Sequence, residues 1–216
     1  MERIKKEEKL ITIKYQKENQ NNAETFDSVI YSGQPWRDLN LNIEVGGETS
    51  TNNEFLNSLE QLRKIESHSV TVVGLGAKQT SMDENSIKGF GALAGEWSKD
   101  ILGVIFVHST YPSHAPKNSK LYRVLLGGDR DPFINSKSQE EIIALSKLRL
   151  VESKVTPANI QFDFSQVIKW DNYIPLATIN QDKVIEAIWK IEALLPGFFL
   201  TGNYIKGPSI ADCLDQ

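Results

Sequence analysis

The chain has 216 residues, 40% of them hydrophobic and 24% charged, with a formal net charge of −4. That length can bury a sizeable core, no apolar run approaches the roughly eighteen residues a membrane-spanning helix needs, and the acidic balance without a Lys/Arg cluster argues against a nucleic-acid surface. The single cysteine, Cys213, cannot close an internal disulfide, which favours a reducing cytoplasm.

Arg3, Lys5 and Lys6 alternate with Glu2, Glu7 and Glu8, a solvated strand end with no apolar leader segment. Leu10, Ile11, Ile13 and Tyr15 form a β-rich run, Asn19 to Asn22 a turn, and Phe26 to Tyr31 a second strand, which together predict a hairpin. Pro35 breaks the regularity, and Leu39 to Asn53 reads as loop. Phe55, Leu56, Leu59, Leu62 and Ile65 recur at helical spacing, predicting a helix over 54–66 with Asn52 or Asn53 as its cap. Strands are predicted at 70–75, 102–107 and 121–126, pairing in one sheet, and helices at 139–150 and 182–195.

At the far end Phe198, Phe199 and Leu200 form a short core strand, Gly202 and Gly207 free the backbone, and Ser209 caps a helix carrying Asp212 and Leu214. Such a strand, turn and helix can aim N–H groups at an anion or a reduced flavin ring, or be a plain structural connection. By contrast, Val72-Val-Gly-Leu-Gly-Ala only imitates a dinucleotide-binding turn: the third glycine and the following helix are missing. His68, His108 and His114 lack metal-ligand spacing. Glu140 and Glu141 suit the first turn of a helix, so nothing supports hydrolytic chemistry.

Four internal segments accompany the terminal motif: Ile87-Lys-Gly-Phe-Gly-Ala-Leu93, Ile101 to Pro116, Leu121-Tyr-Arg-Val-Leu-Leu-Gly-Gly128 and Ile168-Lys-Trp-Asp-Asn-Tyr-Ile-Pro-Leu176. In this order and spacing the chain resembles the C-terminal half of oxygen-dependent protoporphyrinogen oxidase, within the flavin-containing amine oxidase superfamily, from about Phe26 onward. The resemblance implies FAD as cofactor and oxidation of protoporphyrinogen IX to protoporphyrin IX by dioxygen, the flavin performing the redox step while the protein orients and shields. It implies that Leu93, Ile105 and Leu125 sandwich the tetrapyrrole; common plant-type members carry Leu where Ile105 stands and Phe where Leu125 stands. Read as residues alone, all three are core aliphatics on strands.

Gly202, Pro208, Ser209 and Ile210 match positions bordering the flavin ring, although Pro208 brings no N–H. Trp170, with Tyr173, matches an aromatic segment near the flavin and reads equally well as core packing. An N-terminal Rossmann half, which the resemblance requires, is not seen in the sequence: either a separate polypeptide supplies it, or the sequence is a piece of a longer chain, or the chain serves a non-catalytic use. The expected fold class is α+β: a mixed substrate-domain sheet flanked by helices (39–195), plus a partial FAD-domain edge formed by both chain ends (1–38 and 196–216). Alternatives are a non-catalytic porphyrin- or partner-binding remnant and an amine oxidase-type enzyme with another substrate. No nucleic acid and no transmembrane segment are expected. A cytoplasmic location is expected, with peripheral contact to the inner face of the membrane left open.

Overall fold

The computed structural model describes residues 3–7, 10–39, 43–45, 48–49, 53–78, 89–95, 98 and 100–216. In chain order the elements are β1 (Arg3–Glu7), β2 (Leu10–Lys17), β3 (Gln20–Phe26), β4 (Val29–Tyr31), α1 (Pro35–Asp38), β5 (Ile43–Val45), β6 (Glu48–Thr49), α2 (Asn53–Arg63) and β7 (Ser67–Lys78). They continue with β8 (Gly91–Leu93), β9 (Ile101–Phe106), α3 (Val107–Thr110), β10 (Ser119–Gly127), α4 (Gln139–Glu152), β11 (Phe164–Pro175), α5 (Gln181–Leu194), β12 (Phe198–Leu200) and α6 (Ile210–Leu214). Short 3-10 turns lie at Pro112–His114 and Ile134–Ser136. Mixed sheets and helices make the fold α+β, as expected.

The chain divides into two compact units, residues 1–67 with 175–216, and residues 68–174. The first therefore takes in α2 and α5 as well as both chain ends, a different partition from the assignment by cofactor and substrate role.

In the first unit, β2 and β3 form an antiparallel hairpin, and β1 joins β2 on one side and, in parallel, β5 on the other. The turn is tighter than the Asn run suggests. Glu18 and Asn19 both take positive φ, 52° and 61°, the two-residue reversal that matches strand twist, and Asn21 and Asn22 already pair in β3. The stretch from Phe26 to Tyr31 is also not one strand: Phe26 ends β3, and Val29–Tyr31 leaves to pair in parallel with β12. Within the expected loop 39–53, two short strands, β5 and β6, pair with each other. Helix α2 begins at Asn53, and the alternative cap, Asn52, lies outside the described residues.

Helices α2 and α5 pack together and cover the β4–β12 pair. Phe55, Leu59, Leu62, Ile188, Ile191, Phe198 and Leu200 form the core there, the inward positions of amphipathic helices and of alternate strand residues.

In the second unit, five strands run in the order β11, β7, β10, β9, β8. The strands expected at 70–75, 102–107 and 121–126 do share one sheet as β7, β9 and β10, except that Val107 already begins α3, and β10 is antiparallel to both β7 and β9. One face carries Val73, Leu75, Val104, Phe106, Tyr122, Val124 and Leu126, buried with Ile142 and Leu150 of α4. The start of α4 is fixed by a capping box: Glu141 N donates to Ser138 Oγ at 3.2 Å and Ser138 N to Glu141 Oε2 at 2.7 Å, so Glu141 serves the helix end. His108 lies on α3, its Nδ1 3.1 Å from the Leu121 carbonyl. Trp170 and Tyr173 lie within β11.

Candidate functional site

Strand register decides where the sequence-derived substrate residues point. Leu93 pairs with Gly103, Gly103 with Leu125, and Gly91 with Ile105, which pairs in turn with Arg123. Directly paired residues share a face, and so do residues two apart on a strand. Leu93, Ile105 and Leu125 therefore lie on one face, opposite the α4-covered core. The extra residue of the β9–β10 bulge is Leu102, opposite the step from Leu125 to Leu126; it falls after that row and leaves it in register.

On the adjoining strand, Val72 pairs with Leu125 and Gly74 with Arg123, extending the face across β7. Phe164 marks the same side of β11, because a Cβ built on Gly76 would meet its Cβ at 3.0 Å. By strand alternation Ile168 and Trp170 follow Phe164 onto that side. Lys169 points the other way, donating to the Asn135 and Lys137 carbonyls at 2.8 and 2.7 Å. Phe164, Ile168 and Trp170 are all exposed, and Leu93 is 93% exposed.

From β7 to β8 the surface spans three strand intervals, about 14 Å. It is a broad, shallow apolar floor with few hydrogen-bonding groups, suited to one side of a flat ligand. The Trp170 and Tyr173 rings approach to 4.5 Å between centroids, so the aromatic pair exists and belongs to this unit.

The loop leading from β8 is clamped from below. Arg130 Nη1 donates to the Gly95 and Ile101 carbonyls, both at 3.0 Å, with Ser98 O at 3.4 Å, and its Nη2 donates to Ala94 O at 3.0 Å. Residue pattern alone gave no sign of this clamp.

The sequence-derived cofactor residues other than Trp170 lie in the first unit, where the chain ends come together. Phe198 to Leu200 pair with Val29 to Tyr31, and Thr201 N donates to Tyr31 O at 3.0 Å. Gly202 follows with φ 156°. An added Cβ would lie 2.4 Å from the Tyr204 ring, so both conformation and space demand glycine there. Tyr204 is buried against Trp36, their rings 5.8 Å apart and edge-on. Burial pushes its phenol pKa up, with Tyr31 beside it acting in the same direction.

At the start of α6, Ser209 Oγ accepts from Asp212 N at 3.1 Å, and Asp212 Oδ2 accepts from Ser209 N at 3.0 Å. Ser209's hydroxyl and its backbone N–H hold the Asp212 carboxyl below the usual carboxylate range. Gly207 leaves room for this carboxylate, since a Cβ there would lie 2.6 Å from Oδ2. The Ser209 donor is thus used inside the chain, Pro208 has none, and α6 has five residues. What this end offers outward is Ile210, 81% exposed.

A depression of about 510 Å³ also lies between α2 and α5, lined by Glu54, Asn57, Ser58, Lys183, Glu186 and Lys190. Its charges pair internally, as in Lys190 to Glu186 at 2.7 Å, and no chemistry converges there. Among the described residues, no His/Cys/Asp/Glu group could hold a metal ion, and no helix is long and apolar enough to cross a membrane.

No protein-family model matches the chain. It is 27% identical over 204 residues to the mitochondrial protoporphyrinogen oxidase of Nicotiana tabacum, covering 91% of this chain and 38% of that protein. The chain is similar to part of protoporphyrinogen oxidase. A second relative agrees: protoporphyrinogen oxidase 2, chloroplastic/mitochondrial, of Arabidopsis thaliana is 30% identical over 131 residues, 57% of this chain and 25% of the relative. The chain thus spans well under half the length of these two protoporphyrinogen oxidases. A solved structure assigned as a protoporphyrinogen oxidase from Exiguobacterium sp. 255-15 matches 99% of this chain and 43% of its own, with a TM-score of 0.70 at 15% identity. At that identity the likeness speaks for the fold.

Proposed function

We propose that this chain is the substrate-facing part of a flavin-dependent porphyrinogen oxidase, holding one side of protoporphyrinogen IX for oxidation to protoporphyrin IX. The observation that carries the reading is the common face of Leu93, Ile105 and Leu125. Three positions that resemblance assigns to one ligand lie side by side on an apolar floor, Leu93 exposed and Ile105 and Leu125 half-buried. Leu125 in place of an aromatic gives up ring stacking and leaves aliphatic contact.

The cofactor of this reading is FAD, which when bound supplies the two-electron acceptor. A parallel sheet is ordinarily buried on both faces and continued by further strands. Yet β4 and β12 form a parallel pair whose Ile30 and Phe199, directly opposite each other, are 68% and 46% exposed. That fits a sheet continued by strands of a separate flavin-binding half. Within the first unit, Gly202, Ile210 and the Pro208–Ser209 turn are the residues proposed to border the cofactor; within the second unit, Trp170 is the residue that resemblance assigns to it. Ile210 would contribute apolar contact, and Asp212 would hold the turn in shape. Segments 1–38 and 196–216 are accordingly assigned to the cofactor side and residues 39–195 to the substrate side. A location inside the cell, in contact with a membrane surface where the product is used, belongs to the same reading.

The test is binding and reconstitution. Titrating the chain with protoporphyrin IX should give saturable fluorescence changes, weakened by Leu125→Asp. Mixing it with the N-terminal half of a protoporphyrinogen oxidase should give flavin retention and oxygen-dependent porphyrin formation. Porphyrin binding without flavin retention in the mixture would make the chain a binding module, and neither property would end the proposal.

A further inference from the structure

The apolar floor has a cation at its centre. Arg123 is exposed and lies on β10 between Leu121 and Leu125, paired with Ile105 on one side and with Gly74 on the other. Among the described residues its guanidinium has neither an ion pair nor a hydrogen bond. Among the described residues, Lys78 at the end of β7 is a second cation on this face, paired with Ser119 at the strand margin. On β11, Asp171 serves Asn135, whose Nδ2 donates to its Oδ1. At the other end of β7, His68 lies on the same side and its Nε2 is 3.0 Å from Asp129 Oδ1, so the carboxylate of Asp129 at that margin is already paired. Among the described residues the centre of the floor therefore presents the positive charge of Arg123.

We propose that Arg123 is the carboxylate anchor of this surface and selects, among flat apolar ligands, those that carry acidic side arms. The inference rests on the porphyrinogen reading above and adds a specificity residue to it. A guanidinium on an otherwise greasy face gains most from a ligand that covers the face and brings its own anion, because excluding water strengthens the charge-assisted pair. Its planar fork matches a carboxylate in two-point contact. The Gly74 position beside it lacks a side chain and is covered by the Phe164 ring, which an added Cβ would meet at 3.6 Å, so the guanidinium is flanked by apolar surface on that side. Propionate arms on a macrocycle provide this chemistry.

The experiment compares mesoporphyrin IX with its dimethyl ester, titrated into the full chain and followed by quenching of protein fluorescence. The wild type is expected to favour the diacid by about tenfold or more. Arg123→Gln should erase that preference while leaving ester affinity unchanged, Arg123→Lys should restore part of it, and added salt should weaken only the diacid. Arg123 is exposed, so circular dichroism and urea unfolding of the variants should overlay the wild type. Equal affinities of the wild type for the two ligands, or a preference that survives in Arg123→Gln, would overturn the anchor while porphyrin binding stands. Failure of both ligands to bind the wild type would overturn the porphyrinogen reading and the anchor together.

Discussion

Replacing Arg130 by alanine tests whether one side chain holds the floor's outer edge. In the wild type the guanidinium serves the Ala94, Gly95 and Ile101 carbonyls at 3.0 Å and reaches Ser98 O at 3.4 Å. Hydrogen bonds to a charged group contribute about 1.5–3 kcal/mol each. Nη1 has two hydrogens for its three acceptors, and loop carbonyls can recover water once the clamp is gone. The loss should therefore be about 2–4 kcal/mol and not the sum of four bonds. It should concentrate where the loop joins the sheet, because Ala94 N donates to Leu102 O at 3.0 Å and that link keeps β8 on β9. The assay is urea unfolding followed by amide hydrogen exchange at Val104 and Val124, with porphyrin titration alongside. Arg130→Ala should lower protection at both amides and weaken porphyrin binding although Leu93 is untouched. Arg130→Lys, a point donor without the fork, should recover less than half of the lost stability. Stability within about 0.5 kcal/mol of the wild type would refute the clamp.

Gly202→Ala should destabilise the chain by about 2 kcal/mol or more, from positive φ and the clash with Tyr204, read as a lower urea midpoint. Leu93→Asp should leave stability within about 0.5 kcal/mol, since the side chain is 93% exposed, and should weaken porphyrin binding in the fluorescence titration. Tyr204 is expected to govern alkaline stability. A phenol whose folded pKa is raised contributes stability that is complete below its unfolded value of about 10 and lost as pH rises beyond it. Unfolding free energy should accordingly fall above about pH 10 and fall less in Tyr204→Phe. At neutral pH that variant should be no less stable by more than about 1 kcal/mol, because the buried hydroxyl has no hydrogen-bond partner among the described residues.

Long periodic segments were legible in the sequence because each side chain's direction repeats. Leu59, Leu62, Ile188 and Ile191 mark the inward stripes of α2 and α5, and Val73, Val124 and Val104 mark strands whose buried face alternates. What depends on pairing was not legible. Phe26 and Val29 read as one apolar run, yet the chain turns between them because Val29 finds its partner in Phe198, far along the sequence. The strands at 43–45 and 48–49 are too short to show a period, the first pairing with β1 and the second with the first. The substrate trio came from resemblance, and only the register shows that it shares a face. Arg123 left a trace that could have been followed: Leu121, Arg123 and Leu125 occupy one side of a strand, and the charge breaks the alternation. Arg130 left none, since its partners are backbone carbonyls.

The pairing of β4 with β12 also orders events during synthesis. The ribosome delivers β4 early, then the whole continuous segment 68–174, and only afterwards the strand β4 needs. The second unit can mature while the first waits with an open strand edge beside Ile30, the kind of exposed surface that invites intermolecular pairing. The nascent protein is most vulnerable to aggregation in that interval, and a chaperone that shields β4 until Phe198 to Leu200 emerge would act at the step where yield is decided.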